Sequence, residues 1–176
     1  EGTLRWHAES GQYLLAFEGD PAAGSLRVIE PALAPAQPDS DHVHAQAVAF
    51  EDEDTEAALR AYEYALAADP SRLDARINLG RLLHETGRHA QAERIYSGAI
   101  AAGARDALLF YNLGVLLDDM ERKPEAVQAY EAALQLDPQL ADCHYNLALL
   151  CEELDQPRQA IRHMSQYRRL TAGPRA

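Results

Sequence analysis

The sequence predicts an all-α chain, a curved stack of helical hairpins preceded by a small β-hairpin segment. Three observations predict it. One set of residue types recurs every 34 positions, apolar residues inside each recurrence fall at helical spacing, and Pro- and Gly-containing stretches mark the joints. Phe110, Leu113, Gly114, Leu117, Ala126, Tyr130 and Pro138 form the template. One interval earlier stand Arg76, Leu79, Gly80, Leu83, Ala92, Tyr96 and Ala104, and one interval later His144, Leu147, Ala148, Cys151, Ala160, Met164 and Ala172. A fainter first copy supplies His42, Ala45, Gln46, Ala49, Ala58, Tyr62 and Pro70. The register holds without a gap across three consecutive units, which makes chance a poor explanation.

Residues 1–38 differ in kind from the rest. Residues 3–8 and 13–18 are short runs with Leu, Trp, Tyr and Phe around Glu9-Ser10-Gly11-Gln12, a pattern that predicts a β-hairpin, and residues 25–29 suit a third short strand. Residues 31–38 hold three prolines among small residues, as linkers do. A lone two-stranded hairpin is marginal in water, so this segment is expected to pack on the repeats, pair with another chain, or belong to a longer protein. The absence of a starting Met favours the last, with the chain read as a fragment.

Four units then follow at 39–72, 73–106, 107–140 and 141–172, with a short tail at 173–176. In the second unit Ile77, Leu79, Leu82 and Leu83 make one helical stripe and Ala92, Ile95, Tyr96, Ala99 and Ile100 a second, which gives two helices per unit. Asp69-Pro70-Ser71 and Asp137-Pro138-Gln139 separate units, because proline disfavours helical geometry in the residue before it and suits a helix's first turn. Thr86-Gly87-Arg88, the stretch ending at Pro124, and Asp155-Gln156-Pro157 turn the chain within units. Gly80 and Gly114 fall inside helices, where glycine costs about 1 kcal/mol against alanine. A close helix crossing is the expected return. Tyr62, Tyr96 and Tyr130, large residues at helical spacing, are expected in the core.

This pattern resembles the tetratricopeptide repeat family, whose 34-residue unit carries an aromatic, Leu-Gly, Ala, an aromatic and Pro at these intervals. The third unit fits best; the first has Ala45-Gln46 in place of Leu-Gly, and the last lacks the closing proline. The resemblance implies a superhelical solenoid held by nearest-neighbour contacts, with a concave groove that binds other polypeptides. The hairpin and linker are also similar to the segment that follows a helix-turn-helix domain of the MerR type in some bacterial repeat proteins. That second resemblance implies a self-association or effector module of a transcriptional regulator.

Composition narrows the partners. With 28 acidic against 16 basic residues the net charge is −12, which opposes binding to nucleic acid or to an anionic membrane. No apolar run approaches the ~20 residues needed to span a bilayer, and no secretion signal is visible. Cys143 and Cys151 sit about 12 Å apart along one predicted helix, too far for a bridge, and suit buried thiols in a reducing cytoplasm. Charge is polarised. Beyond Asp155 there is no acid, while Arg158, Arg162, Arg168, Arg169 and Arg175 follow. These arginines suit the solvated face and C-terminal dipole of the last helix, or an acidic partner, a second copy included.

The resemblance directs attention to Asn78, Asn112 and Asn146, one per unit at the same slot. In the family that slot faces the groove, where an amide can donate to and accept from an extended peptide's main chain; bonding between neighbouring helices is the competing role. The same face is expected to present Val43, His44, Ala47 and Phe50, then Ile77, Arg81, His84 and Glu85. Tyr111, Val115, Asp118 and Asp119 follow, then Tyr145, Leu149, Glu152 and Glu153. Asn78, Arg81, Tyr111, Asn112, Val115, Tyr145, Asn146 and Leu149 are the expected groove contacts for a neutral or basic peptide. Arg81 alone is basic among them, unlike the Lys- and Arg-rich grooves of co-chaperones that clamp a terminal carboxylate. No cofactor or catalytic role is expected, for the chain has no Gly-rich phosphate loop or nucleophile elbow, and Cys143-His144 lacks further ligands at zinc spacing.

Overall fold

The computed structural model describes residues 17–18, 27–28, 40–51 and 54–172, in two units, Glu1–Gln37 and Pro38–Ala176. In the first, β1 (Phe17–Glu18) pairs antiparallel with β2 (Arg27–Val28), Phe17 opposite Val28. The strands that pair are thus the second and third of the expected runs. Residues 3–8, the expected first strand, lie outside the described residues.

The described residues of the second unit form helices: α1 (Ser40–Phe50), α2 (Thr55–Ala68), α3 (Leu73–Glu85), α4 (His89–Ala101), α5 (Ala107–Asp119), α6 (Lys123–Leu136), α7 (Ala141–Glu153) and α8 (Pro157–Thr171). Each odd helix packs on the even helix after it, and each even helix packs on the next odd one. In addition α3 packs on α5 and α5 on α7, whereas no comparable packing joins α4 to α6 or α6 to α8. Close spacing on one side and wide spacing on the other makes the stack curve. The odd helices α3, α5 and α7 line its inner side.

Local chemistry sets the joints. Asp54 and Asp106 cap α2 and α5 by accepting from the amides of Ala57 and Leu109, both at 3.0 Å. The Asp69 carboxylate accepts from Ser71 N at 2.9 Å, and that of Asp137 from Gln139 N at 2.8 Å, closing the turns that separate α2 from α3 and α6 from α7. Gly87, Glu121 and Asp155, spaced 34 apart, all take left-handed backbone after an odd helix, with φ of 75°, 58° and 54°. Only the first is glycine.

Two apolar clusters run along the stack, and Ile100 and Leu113 pack against both. Tyr62, Tyr96 and Tyr130 lie at their centres, 0%, 0% and 1% exposed. The helix glycines make room for these rings. A Cβ on Gly80 would lie 2.3 Å from Tyr96 Cε1, and one on Gly114 2.6 Å from Tyr130 Cδ1.

The first unit departs from the repeat register. Ala45, Gln46 and Ala49, aligned with Leu79, Gly80 and Leu83, are exposed, and Val43 and Ala47 are buried instead. Val43 and Ala47 stand 36 residues before Leu79 and Leu83 rather than 34, so the register that suits Tyr62 slips by two positions before it reaches α1. Val43 and Ala47, expected on the groove face, belong to the core.

Candidate functional site

Asn78, Asn112 and Asn146 stand half-buried on α3, α5 and α7. Two of them are engaged within the fold. The Asn146 amide donates to Tyr111 Oη at 3.3 Å and also bonds the Tyr130 hydroxyl, while the Asn78 amide bonds the hydroxyl of Tyr62. Each Asn follows its Tyr by 16 residues, so one unit's amide meets the previous unit's buried ring. The third pair breaks the rule: among the described residues Tyr96 Oη is buried without a partner and no hydrogen bond engages the side chain of Asn112. Burial, reinforced at Tyr62 by Glu51 and at Tyr130 by Asp118, pushes the phenols of Tyr62, Tyr96 and Tyr130 far above the ordinary range.

The other expected contacts divide in the same way. Arg81 is held by Glu51 and by Glu85, the latter at 2.8 Å, so its guanidinium is committed within the fold. Tyr111 and Val115 are half-buried against the second apolar cluster. Tyr145 and Leu149 are more open, 40% and 39% exposed, and Tyr145 packs against Tyr167 with ring centroids 5.0 Å apart. Next to them the helix ends carry acids. Asp119, Glu152 and Glu153 are exposed, and Asp118 is half-buried. Burial, then the like charges of Glu153 and Asp119, raises the Asp118 carboxyl above its usual range. His84 Nε2 lies 2.7 Å from Asp119 Oδ2, and Lys123 Nζ lies 2.8 Å from Glu153 and 3.1 Å from Glu121. The result is a mixed face. Apolar anchors and one free amide adjoin a patch with an excess of acid.

Sequence reasoning missed a pair of histidines on the outer side. His144 Nε2 lies 3.1 Å from the Pro138 carbonyl, and its Nδ1 lies 3.0 Å from Nδ1 of His163. The two positions are 19 residues apart and carry no metal or catalytic spacing, so only packing brings them together. Cys143 and Cys151 are both free and buried on α7. Cys143 Sγ donates to the Tyr130 carbonyl at 3.4 Å, and burial pushes its thiol up to about 12.

Comparison with known proteins agrees with this architecture. A family model described as Tetratricopeptide repeat matches residues 49–113, and one described as TPR repeat matches residues 119–155. Among solved structures, a crystal structure of MamA is 23% identical, covers 71% of this chain and 74% of its own, and superposes with a TM-score of 0.65. MamA from Desulfovibrio magneticus RS-1 is 22% identical over 75% of both chains, with a TM-score of 0.66. The AMB-1 form of MamA is 20% identical, covers 81% of this chain and 80% of its own, and has a TM-score of 0.62. No curated protein sequence matches the chain. Neither family match reaches residues 1–38, on which the likeness to MerR-type regulators rests. Among the described residues, no helix is long and apolar enough to cross a membrane.

Proposed function

The chain belongs to the tetratricopeptide repeat family of protein-interaction scaffolds, whose fold is generally non-catalytic, and we propose that its inner face captures an extended, neutral-to-basic segment of a partner polypeptide. The observation that carries this reading is the adjacency, on α5 and α7, of uncommitted side chains to an acid patch that resists its own charge. Asn112 has no partner among the described residues, and Tyr145 and Leu149 present apolar surface. Asp118 ionises against Glu153 and Asp119, so an incoming Lys or Arg relieves a repulsion already present. Asn78 and Asn146, held by tyrosines, act in this reading as spacers between units rather than as peptide hooks. Arg81 and Tyr111 shape the wall.

The test is binding of fluorescent peptides with alternating apolar and basic residues, read by anisotropy. Asn112→Ala combined with Leu149→Ala leaves the helical signal in place and weakens binding by about tenfold or more, the range expected when contacts at the centre of an interface are lost. Undiminished binding by that variant overturns the reading. A salt series adds a second check, because binding driven by the acid patch weakens as ionic strength rises.

A second reading, self-association, is favoured by one observation. Among the described residues Arg158 and Arg168 on α8 form no ion pair, and no acid follows Asp155 in the sequence. A basic end set against an acidic inner face suits head-to-tail contact between copies. Light scattering that reports a monomer at every salt concentration removes it.

A further inference from the structure

The outer hollows between successive even helices are equivalent along the chain, and the last one has changed its chemistry. Between α4 and α6, with α5 as floor, a hollow of about 430 Å³ is lined mainly by apolar residues, among them Phe110, Ala129 and Ala132, with Gln128 at its edge. Between α6 and α8, with α7 as floor, the hollow is about 290 Å³. One interval on, Phe110 is replaced by His144, Ala129 by His163, Ala132 by Gln166 and Gln128 by Arg162, and Arg169 joins them, while Ser97 is replaced by Glu131 in an adjoining hollow. Packing alone does not require these replacements, since the third unit closes the same space with small and aromatic groups. Among the described residues no carboxylate lines this hollow, while Glu131 lines the adjoining one that shares Leu134, Arg162 and His163 with it.

Hydrogen bonding fixes how the histidines present themselves. The Pro138 carbonyl can only accept, so His144 carries its proton on Nε2 and offers Nδ1 as an acceptor. His163 therefore donates from Nδ1, and its remaining nitrogen, Nε2, is the one free to take or give a proton. Protonating His144 would set two donors against each other at 3.0 Å, whereas protonating His163 keeps the bond and adds a donor. His163 is faced by His144 on α7 and by Arg162 and Arg169 on its own helix. Glu131 on α6 lines an adjoining hollow together with His163 and Arg162 and is in no ion pair among the described residues. Burial, then His144 and Arg162, holds its imidazolium below the usual histidine range, so in the empty hollow the ring is neutral near pH 7.

We propose that this hollow is a binding site for a tetrahedral oxyanion of the phosphoryl class. The arginines, neither of them in an ion pair among the described residues, supply planar forks suited to such oxygens, and Gln166 adds a neutral donor. His163 takes up a proton as the anion enters, because the incoming charge offsets what disfavours the imidazolium. Binding and protonation are thus linked.

Sulfate is the probe, since its charge is constant over the range used. Titrated into the whole chain at fixed ionic strength, it gives a saturable shift of the His163 ring resonances. Affinity is higher by about threefold or more at pH 6 than at pH 8, following that linkage. Arg162→Gln with Arg169→Gln changes two exposed side chains and lowers affinity by about tenfold or more, while circular dichroism is unchanged. His163→Ala, the third unit's residue at this place, keeps some binding and loses its pH dependence. No saturable response, or an equal response in the double arginine variant, overturns the site. Free phosphoserine and a phosphoserine peptide then separate the sources: equal affinities assign the hollow to a free anion, and tighter peptide binding assigns it to a phosphorylated segment. Both results require the site.

Discussion

Replacing Gly114 by alanine sets two effects against each other. Alanine gains about 1 kcal/mol of helix propensity, but its Cβ would fall 2.6 Å from the Tyr130 ring, which is 1% exposed and cannot move aside. Overpacking of this kind costs about 1–3 kcal/mol, so Gly114→Ala is expected to destabilise the fold in a urea titration, despite the better helix former. The tyrosines offer a paired measurement. Tyr130→Phe loses the bond from Asn146 and costs about 1 kcal/mol, whereas Tyr96→Phe deletes a buried hydroxyl with no partner among the described residues and is neutral or stabilising. Equal losses in the two would mean that Tyr96 has a partner after all. Here the limit of sequence reading has a physical cause. An Asn at a groove-facing slot looks like a hook for peptide, and only three-dimensional packing brings the previous unit's phenol to Asn78 and Asn146. The 16-residue spacing from Tyr to Asn is in the sequence, but its meaning depends on how one hairpin leans on the next.

At the scale of the helix, the joints after α3, α5 and α7 share one geometry with different residues. The amides of Arg88, Arg122 and Gln156 reach back to the carbonyls of Leu83, Leu117 and Cys151 at 2.8, 2.9 and 2.8 Å. Such a turn favours glycine, and a side chain there costs a fraction of a kcal/mol to about one. Asp155→Gly is therefore expected to stabilise the chain by about 0.5–1 kcal/mol, seen as a higher urea midpoint with an unchanged slope. The pairing of α7 with α8 also carries a pH dependence. His163 has a folded-state pKa below its ordinary 6.5, so as pH falls through that value the unfolded chain takes the proton first and stability is lost. Melting at pH 7.5 and 5.5 should show this fall, and His163→Ala should lessen it. Helix periodicity was legible because it needs only neighbours in sequence. The slip ahead of α2 was not, because a shift of two positions leaves no mark on composition and puts Val43 and Ala47 in the core.

Across the whole molecule, cooperativity rests on few residues. Ile100 and Leu113 pack against both apolar clusters and so carry the coupling between the two halves of the array. Leu113→Ala is expected to cost about 2 kcal/mol and to broaden the urea transition, because the halves then unfold less as one. A transition displaced but just as steep would place the coupling elsewhere. Repetition made this level the most readable of all, since a fixed interval in sequence becomes a fixed step in space. What it could not foretell was how one step would differ chemically from the last. The contact of α3 with α5 and α5 with α7, while their outer counterparts stand apart, makes each unit a wedge. Such an array flexes as a leaf spring gripped along one edge: a body lodged between the outer leaves limits how far they close, and a strand laid along the gripped edge resists further bending. Occupancy on either side is thereby felt mechanically on the other.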